Sequence, residues 1–281
     1  MPVSTMYNLP LLLAFAISAA TPIDPFYTKR LDAAGVPVIA SNRAPDEALA
    51  TAREIVTDML AHRPDLARWL VSNGYRVAVM APDETTTDLP EQRGWTRPAR
   101  GDPRLTRCER IHYDERIGRL TDWQYWDRRA RGMAGVLTSA AAENLLAGPR
   151  DRYHGENIFV HEFAHDVLAA VRAVDPALFA QVEAAYARAL QDGRWKGEYA
   201  STTVDEYWAV GTQFWFNSGR VATFDTIKVL SNTDLARYDP ALAAALRAAY
   251  GDRHRLAGDR FWMHPDRVPP GPLPKFTAEV C

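Results

Sequence analysis

The chain has 281 residues, 47% hydrophobic and 24% charged, with 33 Lys+Arg against 35 Asp+Glu and a formal net charge of -2. A chain this rich in apolar side chains, with 16 Gly and 19 Pro, buries a core; it is neither disordered nor collagen-like. The balanced charge removes the overall basic excess expected of a nucleic-acid binder or a polybasic membrane-surface protein, so partners have to be argued from a local site.

Residues 1–23 carry no charged side chain, and Leu9 to Ala20 reads LPLLLAFAISAA. The run is shorter than the roughly 20 apolar residues a spanning helix needs, and Ser18, Ala19 and Ala20 supply small residues for cleavage. This reads as a secretory signal peptide over residues 1–20, hence a secreted or extracytoplasmic protein. A buried N-terminal helix or strand is the alternative, because no Lys or Arg precedes the run. No Cys follows it closely, so no lipoprotein or other stable membrane anchor is expected. The two cysteines, Cys108 and Cys281, suit either one disulfide in an oxidising compartment or two free thiols.

Residues 46–72 place Ala48, Ala52, Ile55, Val56, Met59 and Leu60 at helical spacing with a break at Pro64, predicting a helix pair or one broken helix. Asn73 and Gly74 then turn into a strand over 75–81. From Glu91 to Arg131 the periodicity dissolves into a loop-like stretch with 11 Arg and interspersed acids. That stretch reads as a solvated surface, with a substrate-steering patch or flexible insertion as the functional alternative. A strand is expected within 133–146, helices over 156–173, 177–191, 204–217 and 239–250, and an extended Pro-rich tail from Pro265.

The helix at 156–173 contains His161-Glu162-Phe163-Ala164-His165. Positions i and i+4 lie one above the other on a helix face, so both imidazoles can reach one Zn²⁺, one ion per chain, at about 2.0 to 2.1 Å. Glu162, rotated off that line, is placed to take a proton from a zinc-activated water. Chance alone would give roughly 0.008 such patterns at this composition, which leaves little room for two histidines that merely pack an ordinary helix.

A catalytic zinc needs a third protein ligand. The Gly and His that metzincins place three and six residues after the second His are Leu168 and Val171 here. Glu183 lies near the spacing used by thermolysin-like enzymes but stands in QVEAAYARAL, a run that reads as solvated. Glu206, opening an aromatic-rich helix with Tyr207, Trp208, Phe214 and Trp215, is the favoured ligand; Asp205 is the competitor, one position off the same face. His154, Asn157, His264, Trp195 and Trp208 take ordinary readings: helix entry, helix capping, surface wrapping by the tail, and core packing.

His161-Glu162-Phe163-Ala164-His165, Tyr199 seven residues before Glu206, and the string EYWAV followed by FWF resemble gluzincin-type zinc metallopeptidases of the anthrax lethal factor, Pro-Pro endopeptidase and Mlc titration factor class, over about residues 155–217. The resemblance implies an α+β, zincin-like metallopeptidase fold: a small mixed sheet, an active-site helix and a mainly helical second lobe. It implies Glu206 completing the zinc site, Tyr199 stabilising the oxyanion, and an edge strand within 133–142 that pairs with an extended peptide or protein substrate. Residues 21–281 would then form a single catalytic domain, with an α/β lobe over 21–150, active-site helices over 151–255 and a tail over 256–281. Two positions depart from the family pattern: Gln213 stands where the titration-factor branch carries a second Glu, and Leu168 where lethal-factor relatives often carry Asp. A zinc-binding interaction protein without turnover, or a zinc hydrolase of a non-peptide amide, shares the same first ligands.

Overall fold

The computed structural model describes residues 22–271 apart from 104, 106, 225 and 226. The apolar N-terminal run and Cys281, and with it the pairing of Cys108, lie outside the described residues. The molecule is a mixed α+β structure built on one mixed sheet.

The sheet begins with a hairpin that the sequence reading left unassigned. Strands β1 (Lys29–Ala33) and β2 (Val36–Ala40) pair antiparallel across Ala34-Gly35, both at positive φ, the turn form that matches strand twist. Asp32 Oδ1 accepts the Gly35 amide at 3.0 Å. Two helices, α1 (Asp46–Leu60) and α2 (Pro64–Ser72), then cross over, broken at Pro64 as expected, and return the chain as β3 (Arg76–Met80), parallel to β2. After a long excursion come the two-residue edge strand β4 and its neighbour β5 (Leu137–Ala141), giving the order β1-β2-β3-β5-β4; β4 covers Gly132–Met133. The edge is therefore β4, antiparallel to β5, while β5 lies inside, parallel to β3. This corrects the expectation of one edge strand across 133–142.

Side chains alternate across the interior strands. Val77, Val79 and Ala140 enter the large core beneath the helices, whereas Ala78, Met80 and Ala141 join Tyr27, Ile39 and Leu89 on the opposite face. Both faces are covered, as interior parallel strands require.

The segment expected to be loop-like is partly ordered. It carries α3 (Arg107–Ile111), a π-helical turn (Asp114–Gly118) and α4 (Asp122–Arg129) around a small core of Leu105, Tyr113, Ile117 and Tyr125. Thr121 caps α4, exchanging hydrogen bonds with Gln124. Short runs of charged residues hide this core from any periodicity count.

Beyond β5 the chain is mainly helical: α5 (Ala142–Leu145), α6 (Ile158–Val174), α7 (Pro176–Gln191), α8 (Val204–Trp215), the β6–β7 ribbon (Ala222–Phe224 and Ile227–Val229), α9 (Asn232–Tyr238) and α10 (Pro240–Tyr250). Asn157 caps α6, its Oδ1 accepting the Val160 amide, and is itself held by Asp259 at 2.9 Å. Helix α6 lies between β5 and α8; the buried indole of Trp208 donates to the Ala164 carbonyl at 3.1 Å and ties the two helices together. No helix among the described residues is long and apolar enough to cross a membrane.

Candidate metal centre

Helical geometry places the first two donors. His161 and His165 are one turn apart on the face of α6 turned to α8, and their Nε2 atoms lie 3.3 Å from each other. Thr203 caps α8 by accepting the Glu206 amide at 3.1 Å, which fixes Glu206 in the first turn, where a carboxylate is favoured by the exposed helix N–H groups. Its Oε2 lies 2.9 Å from His161 Nε2 and 3.6 Å from His165 Nε2.

These separations are a test of the donor set. A tetrahedral ion with bonds of about 2.0 to 2.1 Å spaces its ligand atoms about 3.3 to 3.4 Å apart, and the three observed distances straddle that value. His161, His165 and Glu206 together are the group able to hold a metal ion among the described residues. Asp205, the sequence competitor, points to Arg172 instead, 3.1 Å away, and Glu183 is exposed on α7.

Electrostatics agree with a site built for a cation. Burial opposes a charge on His161, yet the hydrogen bond to Glu206 and the nearby carboxylates outweigh it and raise the ring to about 9. Burial and the His161 charge together push His165 down to about 4. Burial also opposes ionisation of Glu206, but the two imidazoles and Tyr199 hold it below the usual carboxylate range.

Glu162 sits on the flank of α6 that faces the sheet edge. Burial raises its carboxyl, partly offset by the His161 charge and the backbone amide of Ala134, just beyond β4. Gly132 permits this approach: a side-chain carbon there would come within 3.3 Å of Glu162 Cγ, Ile158 Cγ2 and the Ser139 carbonyl. Tyr199, in a 3-10 turn before α8, donates to Glu206 Oε1 at 3.0 Å and stacks on His161 with ring centres 6.2 Å apart. At 45% exposure its face is open to a ligand.

These groups line one cleft of about 640 Å³ together with Arg129, Ala130, Gly132 and Met133 of the sheet-edge side. Several of its residues carried no signal in the sequence. Tyr153 accepts the Arg131 amide at 2.8 Å, and Glu156 lines the cleft with its carboxyl raised by burial. Nothing in their spacing marks them; the loop before α6 simply folds back over the cleft. The tail, read as surface wrapping, reaches further than expected: Pro269 lines the cleft, and Arg267 accepts from Val221 and donates through Nε to the Gly219 carbonyl. Gly155 makes room for this strap, because a Cβ there would fall 2.0 Å from the Asp266 carbonyl oxygen, and its φ is +92°. His154 is exposed and absent from the cleft lining. Trp195 and Trp208 are core residues, as read.

No family model matches the chain, and no curated protein matches it. Among solved structures, it is similar to the Pro-Pro endopeptidase PPEP-2 from Paenibacillus alvei at 15% identity, over 75% of this chain and 96% of that one, with a TM-score of 0.44. A likeness that distant assigns no role to any residue.

Proposed function

We propose that this chain is a secreted zinc-dependent metallopeptidase of zincin-like fold, hydrolysing peptide bonds with Glu162 as general base. The observation that carries the reading is the convergence of His161, His165 and Glu206, with Glu162 and Tyr199 beside them, in one open cleft. The gluzincin resemblance of the sequence supports it, and residues 21–281 are read as one catalytic domain. His161, His165 and Glu206 would hold a zinc ion, which would supply a Lewis acid for the scissile carbonyl and bring the pKa of a bound water near about 7.

The protein's own groups do the rest. Glu162, whose carboxyl burial raises above the usual range, would take a proton from the attacking water and pass it to the leaving amine. Tyr199 gives its hydroxyl hydrogen to Glu206 at rest; burial and the Glu206 charge raise its pKa, so it stays a donor and can turn to the developing oxyanion. The unpaired side of β4 beside Glu162 offers an extended peptide a strand to join.

The test is metal analysis followed by cleavage profiling of an unbiased peptide mixture. One zinc per chain is expected, with cleavage abolished by a chelator and restored by zinc. Cleavage that survives complete zinc removal would overturn the mechanism, and zinc binding without cleavage of any peptide would favour a binding protein.

A further inference from the structure

We propose that Gln213 is a positioning residue for the metal centre: its side-chain amide fixes the ring of His161 so that Nε2 presents its lone pair to the ion. This rests on the metal-site reading above.

Gln213 follows Glu206 by seven residues on α8, two turns further along the same face. Against α6 this face meets one imidazole at both ends: Glu206 at Nε2, 2.9 Å away, and Gln213 Oε1 at Nδ1, 3.2 Å away. The orientation of the amide follows from its partners. Its Nε2 faces two acceptors, the Asn157 carbonyl at 3.2 Å and Glu156 Oε2 at 3.3 Å. The amide oxygen is therefore the atom left for the ring, and an oxygen there can only accept. His161 must place a hydrogen on Nδ1, which frees Nε2 for a metal.

Every member of this chain is held. Gln213 is 3% exposed, Asn157 is fully buried as the cap of α6, and a side-chain carbon at Gly219 would meet the Gln213 Cβ at 3.1 Å. A buried amide with both ends satisfied has one low-energy rotamer, so it defines the ring plane as well as the tautomer. A neutral acceptor does this without adding another negative charge beside Glu156, Glu162 and Glu206.

The experiment measures the apparent zinc Kd of the full chain by competition with a chromophoric chelator. Wild type, Gln213→Leu, and the exchanged pair Gln213→Glu with Glu156→Gln are compared. Gln213→Leu is expected to bind zinc about 10- to 100-fold more weakly. In the zinc-loaded ¹⁵N-edited spectrum, the slowly exchanging His161 Nδ1–H resonance of wild type should be lost from Gln213→Leu. The exchanged pair keeps an acceptor opposite Nδ1 and should retain that resonance, but the Asn157 carbonyl loses its donor and faces a carboxylate oxygen, so its zinc affinity should lie between those of wild type and Gln213→Leu. A folded Gln213→Leu within twofold of wild type, with the resonance unchanged, would overturn the proposal. Should Gln213→Leu fail to fold, the exchanged pair decides: a folded, zinc-loaded form that lacks the resonance also overturns it. A wild type that binds no zinc removes the metal site itself, and so is distinguishable from failure of the Gln213 role alone.

Discussion

On one wall of the cleft, α6 and α8 deliver His161, Glu162, His165, Glu206 and Gln213 from two regular helices whose spacings of one, four and seven residues set the side-chain directions. On another, Ala130 to Met133, which follows the end of α4 at Arg129, has no regular element beyond two residues of strand, and long-range polar pairing holds it. Arg131, 6% exposed in its side chain, clasps Glu143 through Nε at 2.7 Å and Nη2 at 3.0 Å, and donates to the backbone carbonyls of Ala81 and Glu84. Glu84 in turn accepts from Ser41 and from the Ala81 amide. Local periodicity thus places the candidate metal donors and Glu162, while contacts dozens of residues apart in sequence place the surface against which a substrate would lie. The chemistry should therefore be sensitive to changes in the helix wall, and the fold to changes in the sheet-edge wall.

The largest effect tests the helix wall. Glu162→Gln keeps the shape and removes the base; kcat is expected to fall about 10²- to 10⁴-fold with zinc content unchanged. An undiminished rate in the purified variant would dissociate the cleft from catalysis. The same carboxyl is expected to set the acid limb of kcat/KM. Burial raises it, and only the ionised form can accept a proton, so activity should fall as pH drops through a value above the ordinary Glu pKa of about 4.3. A profile still flat at pH 4 would contradict that assignment.

The sheet-edge wall is tested next. Arg131→Met leaves Glu143 buried without its cation, a change expected to cost about 3 to 5 kcal/mol in stability. Denaturant unfolding at neutral pH would measure it, and a loss below 1 kcal/mol would show that wall to be held by something other than this pair. Whatever fraction remains folded should still bind zinc like wild type, because no ligand rests on Arg131.

The same division explains what could be read from the sequence. The His-Glu-x-x-His helix, the helix pair at 46–72 and the strand at Arg76–Met80 are local patterns, and their expected bounds fall within two residues of the observed ones. Glu206 could be proposed because a helix rich in aromatics can pack on α6 and bring its first turn to the histidines, and the two lie together in the structure. The small core of Leu105, Tyr113, Ile117 and Tyr125 was not, since one apolar residue every few positions among arginines has no period to detect. Glu156, Tyr153 and Pro269 reach the cleft by loop and tail geometry, which depends on pairs such as Asn157 with Asp259 that are separated by about a hundred residues. Gln213 was visible only as a departure from a resembled pattern; its role needed the distance to His161.

A smaller effect is expected at Tyr199. Tyr199→Phe removes the hydroxyl but keeps the ring over His161, so kcat should fall about 10²- to 10³-fold, equivalent to about 2.7 to 4 kcal/mol, with little change in KM. If KM alone rose, the hydroxyl would be a binding contact and not an oxyanion donor.

The smallest effect separates two adjacent acids on α8. Asp205 and Glu206 share a helix turn, but a rotation of about 100° sends one to exposed Arg172 and the other to the imidazoles. An exposed ion pair contributes about 0.2 to 1 kcal/mol, so Asp205→Ala should shift stability by no more than that and leave the zinc Kd within twofold. Raising the salt concentration should erase most of even this difference, since the pair lies in solvent. Glu206→Ala, one residue on, removes a ligand and should abolish tight zinc binding. Reversed outcomes for the two alanine variants would mean that α8 is rotated by one residue relative to α6, and the Gln213 contact to His161 would have to move with it.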